Sequence, residues 1–202
     1  MFILGITGGT GAGKTSALLA LTYFGAHIID CDEVYHKLLS EDDKLKSELE
    51  NEFRGVLKCG EIDRRHLGEI VFNSPKSLER LNAITHKYVD IEINRQLAAW
   101  EKQGGTLAAI DAIALIESGL SNKCDVTIAI SAPRDARISR IISRDGITLK
   151  RAEMRVDAQK PDAFYIEHSD YVLENKYDTS KEFEEVCKSF FKKILSHSIE
   201  GV

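Results

Sequence analysis

The chain has 202 residues and a mass of 22.6 kDa, the size of about one domain or of one core with an insertion. Hydrophobic residues at 43% and charged residues at 29% exclude a disordered or fibrous chain. A formal charge of −5 gives no overall basic field for nucleic acid. The charge is uneven, with nine acids against three bases from Asp30 to Glu52 and eight bases against four acids from Arg134 to Lys160, and a local basic stretch suits a small phosphorylated ligand.

Phe2 to Ile6 is a short apolar run stopped by glycine, and Lys14 to Phe24 is rich in helix formers, so the chain opens as strand, glycine turn and helix. Gly25 ends that helix as a C-cap does, and His27-Ile-Ile-Asp30 reads as a second buried strand with acids at its carboxyl end. From Glu33 to about Gln103 the pattern changes to helices separated by turns, with no convincing strand, and Pro75 opens one helix from its first turn. Such a block is much longer than a plain crossover helix, which makes residues 33–103 a helical insertion between two core strands.

Strand character returns at Thr106–Asp111 and Val126–Ser131, both apolar throughout, as in a parallel sheet covered on two faces. Next, Ile138, Ile141 and Ile142 mark one face of a helix, and Arg137, Arg140 and Arg144 share the opposite face, expected to point away from the core. Tyr171–Glu174 is a last short strand. Thr179-Ser-Lys-Glu182 forms a capping box before a helix whose Phe183, Val186, Cys187, Phe190, Phe191, Ile194 and Leu195 share one side. Five strands alternating with helices imply a three-layer α/β fold with a five-stranded parallel sheet and right-handed crossovers.

Cys31, Cys59, Cys124 and Cys187 form no CxxC pair and no zinc-ligand spacing with histidine, which suits reduced thiols in the cytoplasm. No apolar run approaches the ~18 residues that cross a bilayer, and the six residues before the first functional-looking loop leave no room for a signal peptide. The expectation is a cytoplasmic protein without membrane or nucleic-acid partners, monomeric or a small homo-oligomer.

Gly8-Gly-Thr-Gly-Ala-Gly13-Lys14-Thr15 fits GxxxxGK[ST] after a strand and at the opening of a helix. Glycines let the loop turn its amides around a phosphate, and the helix N-terminus adds partial positive charge. Lys14 would reach the β and γ phosphates and the Thr15 hydroxyl would ligate Mg²⁺, with ATP as co-substrate. The second strand ends in Asp30-Cys-Asp32, two carboxylates at i and i+2. Either can cap the next helix, and either can accept a proton from an attacking hydroxyl. Asp111, closing an apolar strand, is a helix cap or a magnesium-binding acid. The arginines after residue 136 form either a solvated face or a phosphate-covering lid, in which Arg140 and Arg144 are the lid residues and Arg137 is exposed. Asn122-Lys-Cys-Asp125 approaches a guanine-reading motif but stands before a strand, against the alternative of a regulatory P-loop NTPase.

With these features in this order, the chain resembles the dephospho-coenzyme A kinase family through nearly its whole length. The carrying segments are Gly5–Thr15, Ile29–Asp32, Ile62–Leu67 with Val71-Phe72, Leu81–His86, Asp111–Glu117, Arg140–Arg144 and Arg155–Gln159, followed by Asp170 and Asn175. The resemblance implies transfer of the ATP γ-phosphate to the ribose 3′-hydroxyl of dephospho-coenzyme A, with Asp32 as general base and Lys14 and Arg140 as its catalytic companions. It implies a nucleotide site made of Gly9, Gly11, Ala12, Gly13, Lys14, Thr15, Ser16, Arg140, Arg144 and Asn175, with Asp170 to Asn175 around the nucleotide. It implies an acceptor side of Thr7, Asp32, Arg64, His86 and Glu117, magnesium on Thr15 and Asp111, an acceptor subdomain over 33–103 and a lid over about 137–168. The family's Asp-Ala-Asp is Asp30-Cys-Asp32 here. His36 replaces an arginine, Lys87 a proline, Ile113 a proline and Tyr165 a lysine, and phosphorylation of another nucleoside or nucleotide is the alternative.

Overall fold

The computed structural model describes residues 1–199. In chain order the elements are β1 (Phe2–Thr7), α1 (Lys14–Tyr23), β2 (His27–Asp30), α2 (Cys31–Glu41), α3 (Asp43–Glu52), β3 (Leu57–Lys58), β4 (Glu61–Ile62), α4 (Arg64–Phe72) and α5 (Pro75–Lys102). They continue as β5 (Leu107–Asp111), β6 (Val126–Ser131), α6 (Arg134–Asp145), α7 (Leu149–Asp157), α8 (Asp162–Glu167), β7 (Tyr171–Glu174) and α9 (Ser180–Ile199). The chain divides into two compact units, one of Met1–Ile29 with the chain from Glu101 onward, the other of Asp30–Trp100.

The first unit is built on a five-stranded parallel sheet of order β2-β5-β1-β6-β7. Central β1 pairs in parallel with β5, Ile6 opposite Asp111, and with β6, Ile6 opposite Ile128. Strand order reverses around β1, so the loop leaving its carboxyl end lies where open α/β sheets bind ligands. The β1, β5 and β6 residues Leu4, Ile6, Ala109, Ile128 and Ile130 are buried together with Ala17, Ala20 and Leu21 of α1. Two alanines on one face of α1 keep that helix near the sheet and the adjoining α9. Phe183, Cys187 and Phe191, four residues apart on α9, are fully buried in the same cluster. The capping box forms as expected: Glu182 N donates to Thr179 Oγ1 at 3.2 Å, and Thr179 N donates to Glu182 Oε2 at 3.2 Å.

α6 and α7 meet through Ile138, Ile141, Ala152 and Val156, and Gly146 ends α6 in the left-handed region at φ 63°. The isoleucine face of α6 is therefore as expected. Arg137 is not where the expectation put it, since it is 3% exposed. Its polar partners, described below, make that burial tolerable.

The second unit has its own core of Leu39, Leu45, Leu49, Phe53, Val56, Ile62, Leu67 and Leu81. Its α5, 28 residues long, begins at Pro75 with Ser74 Oγ accepting from Ser77 N at 3.2 Å. The expectation of no strand in this region needs correcting. β3 and β4 pair antiparallel, Leu57 opposite Ile62, around a turn with Cys59 at φ 51° and Gly60 at φ 84°, the two consecutive left-handed residues of a tight hairpin. Strands of two residues are too short to show alternation in the sequence.

Phe191→Ala removes a fully buried ring from the α1–α9–sheet cluster and should cost about 3–5 kcal/mol, read as a lowered urea midpoint with an unchanged m-value.

Candidate functional site

The loop between β1 and α1 owes its path to glycine. Gly13, the N-cap of α1, has φ 113°, and a Cβ there would sit 2.3 Å from Asn175 Nδ2. Gly13 also brings no capping side chain, so the first amides of α1 stay available to an anion. Lys14 Nζ donates to Gly8 O at 3.2 Å, which draws the ammonium over the loop. Thr15 is exposed in the first turn of α1, and Ser16 is buried behind it.

Three consecutive loop carbonyls are taken by side chains from the far end of the chain. Arg137 Nε donates to Thr10 O at 3.0 Å, Arg140 Nη1 to Gly11 O at 3.2 Å, and Asn175 Nδ2 to Ala12 O at 2.9 Å. Arg140 also donates to Asn175 Oδ1 at 3.2 Å and Tyr177 O at 3.0 Å. Arg137, expected to be exposed, is a buried brace paired with Asp162 Oδ1 at 2.5 Å. Room for it comes from Gly9, where a Cβ would lie 2.0 Å from Arg137 Nη2. Arg144 pairs with Asp145 at 2.7 Å, and Arg155 binds the same carboxylate. The bond from Arg144, then that from Arg155, holds Asp145 below the usual carboxylate range. Of the two arginines expected to form the lid, Arg140 is the one tied to the loop.

The Asp170–Asn175 segment, expected around the nucleotide, is divided by β7, whose four residues span about 13 Å. Asn175 lies at the loop end. Asp170 lies at the other, where its carboxylate accepts from Thr127 N and Oγ1, both at 2.7 Å, and joins β6 to β7. Thr7, assigned to the acceptor side, is fully buried and its hydroxyl donates to Ile113 O at 3.1 Å. This ties the end of β1 to the segment that runs from Asp111 to exposed Glu117. Tyr165 is 2% exposed, and burial, with a smaller push from Glu117, raises its phenol pKa. It is a core residue of α8.

Asp111 stands opposite Ile6 at the carboxyl end of β5. Its carboxylate and the Thr15 hydroxyl are hard oxygen donors of the kind magnesium takes when phosphates complete its shell. Among the described residues no group of three or more His, Cys, Asp or Glu gathers to hold an ion. None of the four cysteines forms a disulfide among the described residues. Burial pushes the thiols of Cys124 and Cys187 up to about 12, leaving them protonated.

In the second unit Asp30 and Asp32 divide their possible roles. Asp30 Oδ1 accepts from Asp32 N at 2.8 Å and Glu33 N at 3.1 Å, so Asp30 is the N-cap of α2. Asp32, exposed in the first turn, keeps its carboxylate off that cap. His36 follows one turn later on the same face, and Arg64 Nη1 lies 3.1 Å from its Nδ1. Arg64 opens α4, whose N-cap Asp63 accepts from His66 N at 3.0 Å and from Lys58 Nζ at 2.6 Å. Those bonds, that from Lys58 first, hold the Asp63 carboxyl down at about 2. His86 is half-buried on α5, and burial lowers its imidazole pKa. Lys87 reaches out to Glu48 at 3.1 Å. Sequence reasoning missed the Arg64–His36 contact and the burial of Arg137, because both depend on partners far away in the chain.

Comparison with known proteins matches residues 2–181 to the model of the dephospho-CoA kinase family. The dephospho-CoA kinase of Dehalococcoides mccartyi is 32% identical over 177 residues, covering 87% of this chain and 89% of that one. That of Corynebacterium jeikeium is 31% identical over 187 residues, covering 92% and 96%. Among solved structures, dephospho-CoA kinase from Campylobacter jejuni superposes with a TM-score of 0.68 at 25% identity, covering 97% and 98% of the two chains. Shikimate kinase from Acinetobacter baumannii, at 14% identity and a TM-score of 0.53, shares the fold.

Because the Asp63 carboxyl titrates lower in the folded chain than in the unfolded one, its contribution to stability is present above the ordinary carboxylate range. It is lost as pH falls from about 4 towards 2. Asp63→Asn keeps a cap acceptor without the charge, and should flatten the acid limb of the thermal midpoint measured against pH.

Proposed function

Since the chain belongs to the dephospho-CoA kinase family, we propose that it transfers the γ-phosphoryl group of ATP to the ribose 3′-hydroxyl of dephospho-coenzyme A, giving coenzyme A and ADP. The observation that carries this reading is the phosphate loop, with its uncapped helix N-terminus and Lys14 drawn over it, in a chain whose family match runs from residue 2 to residue 181.

In this reading the amides of Gly11, Gly13, Lys14 and Thr15 cradle the ATP phosphates, those of Ala12 and Ser16 being bonded to Gly9 O at 3.1 Å and Gly13 O at 3.0 Å, and Lys14 follows the charge that shifts towards the leaving oxygen. Arg140, held by loop carbonyls, adds fixed positive charge. Arg144 serves the nucleotide only after leaving Asp145. Thr15 and Asp111 would hold Mg²⁺, which when bound neutralises phosphate charge. Asp32 accepts the proton of the attacking 3′-hydroxyl, a task for which Asp30 is already committed elsewhere as a cap. The helical unit receives the acceptor through Arg64 and His86, with His36 orienting Arg64. Residues from Arg137 to about His168 act as the lid that keeps water from the transferred group. No helix among the described residues is long and apolar enough to cross a membrane, and we place the enzyme in the cytoplasm acting on small molecules, as a monomer or a small homo-oligomer.

Purified protein with ATP, Mg²⁺ and dephospho-coenzyme A should release ADP well above the ATP-only control, and no excess would defeat the acceptor assignment. Asp32→Asn should lower turnover by roughly 10²–10⁴-fold, the usual worth of a general base, while ATP binding stays near the wild-type value. Equal loss of both would make Asp32 a structural residue. Lys14→Met should weaken ATP binding as well as turnover.

A further inference from the structure

Thr10, at the crest of the phosphate loop, has every polar group engaged by two side chains from the segment 137–159. Its N–H donates to Gln159 Oε1 at 2.9 Å, its hydroxyl accepts from Gln159 Nε2 at 2.7 Å, and its carbonyl accepts from Arg137 Nε at 3.0 Å. Arg137 Nη2 donates to the same Gln159 Oε1 at 2.9 Å, and its Nη1 binds Asp162. The carboxamide cannot be reversed without facing its NH₂ to two obligate donors, so the network fixes its orientation. The Thr10 amide is spent on this bond and is not offered to a phosphate while the bond holds. Glycines on both sides of Thr10 add no stiffness.

We infer that Gln159, oriented by Arg137, is a positioning residue for the nucleotide phosphates: it clamps the Thr10 peptide so that the remaining loop amides are already aimed when ATP arrives. The side chain acts through Thr10 and does not touch the nucleotide. Its contribution is pre-organisation, since a loop that is ordered before binding loses less conformational freedom on binding. The inference rests on the reading of this loop as the ATP site.

The test compares Gln159→Met, which keeps length and loses the carboxamide, with Thr10→Val, Thr10→Ser and the Gln159→Met/Thr10→Val double variant. Affinity for a non-hydrolysable ATP analogue with Mg²⁺ is measured alongside the thermal midpoint. With dephospho-coenzyme A as acceptor, KM is measured for both substrates. Gln159→Met should weaken analogue binding about tenfold, as expected from losing bonds worth ~1.4 kcal/mol together, and raise KM for ATP with KM for the acceptor unmoved. Thr10→Val should weaken it less, and Thr10→Ser should match wild type. The double variant should be no worse than Gln159→Met alone, because the hydroxyl loses the same partner in both.

Wild-type affinity in Gln159→Met, additive losses in the double variant, or parallel weakening of both substrates with a fallen thermal midpoint would each overturn the inference. Failure of the wild-type protein to phosphorylate dephospho-coenzyme A would sink the acceptor reading, and the analogue-binding arm would still decide this one. Failure to bind the analogue at all would remove both.

Discussion

Four glycines among the six residues from Gly8 to Gly13 leave the β1–α1 connection little stiffness of its own, and its shape is set by whatever holds its carbonyl groups. Thr10, Gly11 and Ala12 each surrender a carbonyl to a different side chain, from Arg137, Arg140 and Asn175. Ala12 N is bonded within the loop to Gly9 O at 3.1 Å, and with the carbonyls held by side chains the loop amides that remain can form a concave anion site. Two of the three donors are guanidiniums, so the props also add positive charge behind the loop. Arg137 is buried while its partner Asp162 is only half-buried, so the desolvation cost falls on the guanidinium, and the return on that cost is a fixed crest.

The two units carry different kinds of polar group, and the local structure of each explains the difference. The sheet unit supplies backbone groups and permanently charged side chains, which need a rigid frame of parallel strands packed on α1 and α9. The helical unit keeps the Asp32 carboxylate outside its neighbour's cap in the first turn of α2, and sets an imidazole against a guanidinium. Asp30 and Asp32 look equivalent in the sequence. Their roles diverge because the first residue of Asp-x-Asp falls at the N-cap of α2 and the second falls in its first turn.

Much of the sheet unit was legible from residues alone. Apolar runs ending at Asp30, Asp111 and Ser131 gave the strands, and the four-residue spacing of Phe183, Cys187 and Phe191 gave the packed face of α9. The loop was legible because its chemistry is carried by consecutive residues. What stayed hidden depends on pairs distant in the chain. Periodicity put Arg137 on a polar face, and only the presence of Asp162, Gln159 and Thr10 around it makes burial tolerable. Asp170 looked like a companion of Asn175 until the intervening strand put them at opposite ends. The hairpin around Cys59 escaped because two-residue strands carry no readable alternation.

The props that shape the glycine loop all come late in translation. Thr10 meets Arg137 and Gln159 across 127 and 149 residues, and Ala12 meets Asn175 across 163. A ribosome-bound chain that has emerged only through the helical unit therefore displays the whole GxxxxGKT stretch with none of the side chains that organise it. The loop's organising bonds can therefore close only after most of the chain has been made, and a product that stops before β7 lacks the Asn175 bond to Ala12.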